Sequence, residues 1–134
     1  MVDIDIFENM LQEVADSLPD IFFENLNGGI LLLPEFRFHP RSMANDLYVM
    51  GEYHYDSIYG RYIAIYYGSF ERVHAHLSQE ELYKQLEHTV KHEFRHHLES
   101  QGGIRDLEIW DREQIAEYES RARHIERRPK PEGS

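Results

Sequence analysis

The sequence predicts one α+β domain, and three observations predict it: an amphipathic helix near the N-terminus, two tyrosine-rich alternating segments in the middle, and a long helix with a well-marked start in the second half. The 134 residues leave room for one core and not for a second domain of ordinary size. The domain is assigned to residues 1–126. Residues 127–134, which contain Pro129 and Pro131, are assigned to a flexible tail.

Ile4, Phe7, Leu11, Val14 and Leu18 recur at three- and four-residue intervals, which lines them along one helical stripe, and Pro19 marks its stop. Residues 21–23 can form a short further turn before Asn25, Asn27, Gly28 and Gly29 break the pattern. Ile30 to Leu33 is a brief apolar run between glycines and Pro34, which favours a buried strand over a helix. A polar loop is expected over 35–45.

Segments 46–56 and 59–70 are rich in Tyr, Ile and Val with partial two-residue alternation. Asp56, Ser57 and Gly60 supply turn chemistry between them, so the two read as a hairpin. Its tyrosines are read first as sheet-packing residues. Ser78 and Glu81 then form a capping box, with Leu77 and Leu82 at the positions of a hydrophobic staple. The helix that begins there carries Leu82, Leu86, Val90, Phe94 and Leu98 on its packing side, and Gly102 and Gly103 end it. A shorter helix is expected from Asp111 to about Arg123, with Ile115 and Tyr118 turned inward.

Composition narrows the function. With 25 acidic against 14 basic residues the formal net charge is -11, which argues against a phosphate-binding surface and so against nucleic acid as a partner. Arg121, Arg123, Arg127, Arg128 and Lys130, the one basic cluster, are read as part of a solvated C-terminal tail. The chain lacks cysteine, so a metal site must be built from imidazole and carboxylate. No apolar run is long enough to span a membrane, and the acidic N-terminus does not read as a signal peptide. The expected location is the cytoplasm.

The chemistry concentrates in residues 91–100, K-H-E-F-R-H-H-L-E-S, where His92, Glu93, Phe94, Arg95 and His96 spell H-E-x-x-H. Residues four apart on a helix lie on one face a turn apart, so the imidazoles of His92 and His96 can converge on one metal ion. Zinc is the expected ion, although this donor type also suits other divalent first-row metals. A metal in that position acidifies water and polarises a carbonyl, and Glu93 stands beside it as general base and then general acid. A third ligand is expected from the chain that returns after the glycine turn: Asp106 first, then Glu108, with Glu99 on the helix itself third. Among the other histidines, His88 is read as solvated, His97 as packed or hydrogen-bonded, and the His74/His76 pair, which in an extended chain would share one side of a strand, as structural or incidental.

The segment H-E-F-R-H-H-L-E-S-Q-G-G-I-R-D-L-E resembles the small bacterial zincin-like metallopeptidases, whose members carry H-E-x-x-H-H followed by a turn and an aspartate. His92, Glu93, His96 and His97 match directly. Upstream, L-Y-V-M-G-E-Y-H-Y-D and R-Y-I-A-I-Y-Y-G-S-F-E-R resemble the paired strands that precede that family's active-site helix. The resemblance implies a minimal zincin fold: an N-terminal helix, a small mixed sheet with a hairpin, the active-site helix, and a short C-terminal helix closing the cleft. It also implies that Asp106 is the third metal ligand, reached by a turn four residues longer than the H-x-x-G-x-x-D continuation of familiar members, whose aspartate position is Gly102 here.

The expected function is therefore a zinc-dependent hydrolase, a metallopeptidase acting on a peptide or protein substrate. The alternative is a metal-binding or adaptor protein that keeps the site without turnover. An exposed edge of the tyrosine-rich hairpin is expected to receive an extended peptide by strand addition.

Overall fold

A computed structural model describes residues 1–44, 46–101 and 123–127. Helix α1 spans Ile4–Asp16, capped by Asp3, whose carboxylate accepts from the Ile6 N–H at 2.9 Å. Leu18 continues the buried stripe of α1 beyond the helix, just before Pro19. A single 3-10 turn follows at Asp20–Phe23 and directs Phe22 into the core. Then come strands β1 (Gly29–Leu33), β2 (Leu47–Asp56) and β3 (Gly60–Tyr66), helices α2 (Tyr67–His74) and α3 (Gln79–Ser100), and strand β4 (Arg123–Arg127).

The sheet order is β1-β3-β2-β4, with β1 parallel to β3 and the other pairs antiparallel. The β2–β3 hairpin closes through Asp56, whose carboxylate accepts from the N–H groups of Ile58 and Tyr59, and Gly60, which takes a positive φ of 77°. Those two bonds hold the Asp56 carboxyl below the usual carboxylate range. Loop residues 37–39 add a short bridge to β2. Val49 N–H donates to the Arg37 carbonyl and His39 N–H to the Leu47 carbonyl, each at 2.8 Å.

The core lies between one face of the sheet and the helices. Tyr48 and Met50 of β2 and Ile63 and Ile65 of β3 meet Phe7, Met10, Leu11 and Val14 of α1, Phe70 and Val73 of α2, and the apolar row of α3. All five residues expected on that row, Leu82, Leu86, Val90, Phe94 and Leu98, are buried.

Three expectations are corrected. The strand expected to run through Phe70 ends at Tyr66, because the apolar period changes there: Tyr67, Phe70 and Val73 are three apart and all buried, which is a helical spacing. His74 therefore ends α2 and His76 follows its cap, so the pair does not share one side of a strand. The hairpin also has no fully open edge. Strand β3 lies between β1 and β2, and β4 covers β2 from Leu47 to Glu52.

Arg123 and Arg127, read as the end of a helix and part of a tail, lie in β4. Only Ile125 is aliphatic in that five-residue strand, too little to signal a strand without its partner β2. The helix expected from Asp111 falls outside the described residues except at its last position.

Candidate metal centre

The geometry of the site begins with the fixed start of α3. The Ser78 hydroxyl accepts from the Glu81 N–H and the Glu81 carboxylate accepts from the Ser78 N–H, each at 3.2 Å. Hydrogen bonding to the Glu81 carboxyl by the Ser78 side chain, and then by the Ser78 backbone N–H, holds it below its usual range. From that fixed start, α3 runs 22 residues and presents three adjacent rows of side chains.

The apolar row enters the core, where Phe94 meets Phe23 edge-on at 4.9 Å between ring centroids and Phe22 at 6.3 Å. A second row, Thr89, Glu93 and His97, faces β2. A Cβ placed on Gly51 would lie 3.0 Å from the Thr89 methyl, so the absence of a side chain at Gly51 lets helix and strand approach closely. At the other end of the row, the Tyr53 hydroxyl lies 2.9 Å from His97 Nδ1. Glu93 sits between these two contacts and is 0% exposed.

The third row is one position back, about 100° around the helix, and contains His88, His92 and His96. The rings of His92 and His96 are 5.2 Å apart between centroids and inclined at 73°. His92 is 6% exposed, His96 is half-buried, and the Nε2 atoms of both are buried, as is Glu93 Oε1. The helix thus sets the His92 and His96 rings side by side, with Glu93 buried on the neighbouring row. His88, read as solvated, is half-buried.

The remaining ligand candidates are placed differently. Asp106 and Glu108 lie outside the described residues. Glu99 is exposed at the end of α3, and among the described residues no three His, Asp or Glu side chains converge as a metal-binding group.

Two features, Arg95 and a cluster around Glu52, were not read from the sequence, and a third, His97, read as packed or hydrogen-bonded, now has its partners. Arg95, three residues beyond His92 and so on the same side of the helix, is completely buried, and a guanidinium in that position requires acceptors around it. His97 is bonded at both ring nitrogens: Nε2 donates to the Glu24 carbonyl at 2.7 Å, leaving Nδ1 to accept from Tyr53. Burial pushes its pKa down, so His97 is neutral at pH 7.

On the opposite face of the sheet, Glu52 Oε1 accepts from the Tyr66 hydroxyl at 2.9 Å and from Arg37 Nη1 at 3.0 Å, and His54 Nε2 is 3.7 Å away. This cluster ties the loop after β1 to the sheet and does not adjoin the histidine row, since Glu52 pairs with Ala64 on the face away from the main core. The sequence cue to it was a carboxylate, Glu52, directly after the apolar and aromatic stretch Leu47 to Gly51 of β2.

The zincin-like metallopeptidase family matches residues 49–116, from β2 through all of α3 and beyond. The chain belongs to that family. A solved structure of a conserved hypothetical protein from Thermus thermophilus is similar to this zincin-like chain. The two are 28% identical with a TM-score of 0.61, over 75% of this chain and 98% of that one. No curated protein matches it. None of the described helices is long and apolar enough to cross a membrane.

The residues present fit the zinc that zincins generally bind. Two imidazoles one helical turn apart, both with sheltered Nε2 atoms, are nitrogen donors of the kind zinc prefers, and a carboxylate is the next residue along from the first.

Proposed function

We propose that this zincin-like protein is a zinc-dependent metallopeptidase in which His92 and His96 hold the metal, Asp106 completes the protein ligands, and Glu93 is the general base and acid. The observation that carries the reading is the pairing of the two rings at 5.2 Å with a fully buried Glu93 beside them, on a helix of a zincin-like family member. Zinc, when bound, supplies a Lewis acid that acidifies water and polarises a carbonyl oxygen.

The chain's own residues supply the rest. Glu93, held on the β2 side of α3, takes a proton from the attacking water and returns it to the leaving amine. The closed packing of Thr89 against Gly51 limits water on the sheet side of Glu93.

Metal analysis of the purified chain and a peptide-library assay test the proposal together. The wild type is expected to carry about one zinc per chain and to cleave peptides, and His92→Ala to lose both properties. Glu93→Gln is expected to keep the zinc and to lose at least about a hundredfold in rate. Undiminished cleavage by Glu93→Gln would remove Glu93 from the mechanism, and zinc binding with no cleavage of any peptide would favour the non-catalytic alternative.

A further inference from the structure

We infer that His97, the second histidine of the H-E-x-x-H-H run, is a positioning residue that fixes the rotation of the metal-binding turn from outside the metal's ligand set. This rests on the zinc reading of His92 and His96.

His97 is 0% exposed and adjoins His96 in sequence, yet its ring is committed elsewhere. The Glu24 carbonyl can only accept, so Nε2 carries the hydrogen in the 2.7 Å bond, and Nδ1 must accept from the Tyr53 hydroxyl at 2.9 Å. No lone pair remains for a metal. The same tyrosine hydroxyl lies 3.1 Å from Ser100 Oγ, which donates to the His97 carbonyl at 2.7 Å. One turn of α3 is thereby tied to β2 and, through Glu24, to the segment between the 3-10 turn and β1. Next to Glu24, Asn25 adopts a φ of 63° and donates from Nδ2 to Gln101 Oε1 at 2.8 Å, securing the helix end.

These bonds act on rotation. Successive residues of a helix are about 100° apart, so holding His97 between Glu24 and Tyr53 sets the direction of the neighbouring His96 and, one turn earlier, of His92. Thr89 against Gly51 fixes the helix-to-strand distance but, with no directional bond, resists rolling less. Loss of the His97 bonds lets the two imidazoles drift from the geometry a tetrahedral ion requires, and partners that orient ligands commonly govern metal affinity by about 10–100-fold.

The test measures zinc affinity of the full-length protein by competition with a chromophoric chelator, beside the melting temperature of each metal-free variant. Tyr53→Phe and His97→Leu are expected to weaken zinc binding by about tenfold or more, and His97→Gln, whose amide can both donate and accept, to recover most of it. Val14→Ala, which opens a cavity under α1, is the comparison: it lowers the melting temperature and leaves zinc affinity within about twofold.

Unchanged affinity in Tyr53→Phe and His97→Leu, or a loss no larger than in Val14→Ala at equal destabilisation, would overturn the positioning role. Abolished binding in His97→Leu with Tyr53→Phe unaffected would instead make His97 a ligand and also overturn it. A wild type that takes up no zinc would defeat the metallopeptidase reading and this inference with it, whereas the other outcomes defeat this inference alone.

Discussion

Replacing Gly68 by alanine sets two physical effects against each other. Gly68 is the second residue of α2, and helix propensity alone predicts that alanine gains up to about 1 kcal/mol there. Tertiary packing predicts the reverse. A Cβ at Gly68 would stand 2.5 Å from the Glu35 carbonyl carbon and from the Phe36 nitrogen, and 2.8 Å from the Glu35 oxygen. These are backbone atoms, so relief requires the 35–36 segment to move away by about 1 Å to reach ordinary contact.

That movement breaks the Gly68 N–H bond to the Glu35 carbonyl (3.0 Å) and strains the Arg37 N–H bond to Ser69 Oγ (3.1 Å). Each bond contributes about 1 kcal/mol, and the overpacking adds about 1–3 kcal/mol. After the propensity gain is subtracted, a net loss of about 2–4 kcal/mol remains, which for a chain of this size lowers the melting temperature by roughly 8–16 °C. Calorimetry and urea unfolding of the zinc-free protein read this directly. An unchanged or raised melting temperature would refute the argument that the absent side chain, and not the helix, decides the residue at position 68.

Zinc added to the metal-free wild type at about a hundred times its dissociation constant should stabilise it by about 2.7 kcal/mol, a rise of roughly 10 °C that His92→Ala abolishes. Ser78→Ala should cost about 1 kcal/mol and lower the melting temperature by roughly 4 °C, because it removes the hydroxyl that accepts from the Glu81 N–H and leaves only the backbone N–H bond to the Glu81 carboxylate. If the loss is absent, the long helix does not depend on its cap. The Asp56 carboxyl titrates below its unfolded value of about 3.9, so its contribution to stability is present above that pH and fades as the pH falls through the folded value. Asp56→Ala should therefore destabilise the protein at pH 7 and make little difference in strong acid; equal destabilisation at both pH values would contradict the two backbone bonds at the hairpin turn.

What the sequence made legible was local. Helix α3 could be read because its cap lies within four residues and its apolar row repeats over five turns, and the H-E-x-x-H pairing follows from helical spacing alone. The end of β3 was not legible, since the run Tyr62 to Tyr67 favours strand by composition past the point where the strand stops. Only burial reveals that the period changes at Tyr67. Strand β4 escaped because its register comes from β2, some seventy residues away in sequence, and not from its own pattern. Asp106 stays a proposal for a related reason: helical geometry fixes two ligands four residues apart, whereas a donor across a turn depends on how the returning chain packs.

The same distinction explains why the second histidine of H-E-x-x-H-H reads from the sequence as packed or hydrogen-bonded without its partners being legible. On a helix, adjacent residues point in different directions, so His96 and His97 cannot both address one ion, and the motif encodes two neighbouring rows. One row, His92 and His96, contains the proposed metal ligands; the other, Thr89, Glu93 and His97, faces β2 and contains the proposed proton carrier. Setting either row sets the other, because the helix is rigid over two turns. A bond made by His97 to Tyr53 and Glu24 is therefore also a constraint on where Glu93 stands relative to the two imidazoles. This coupling is why an absent side chain at Gly51 and a hydroxyl on Tyr53, neither of them near enough in sequence to join the motif, belong to the same packed unit as the residues that spell it.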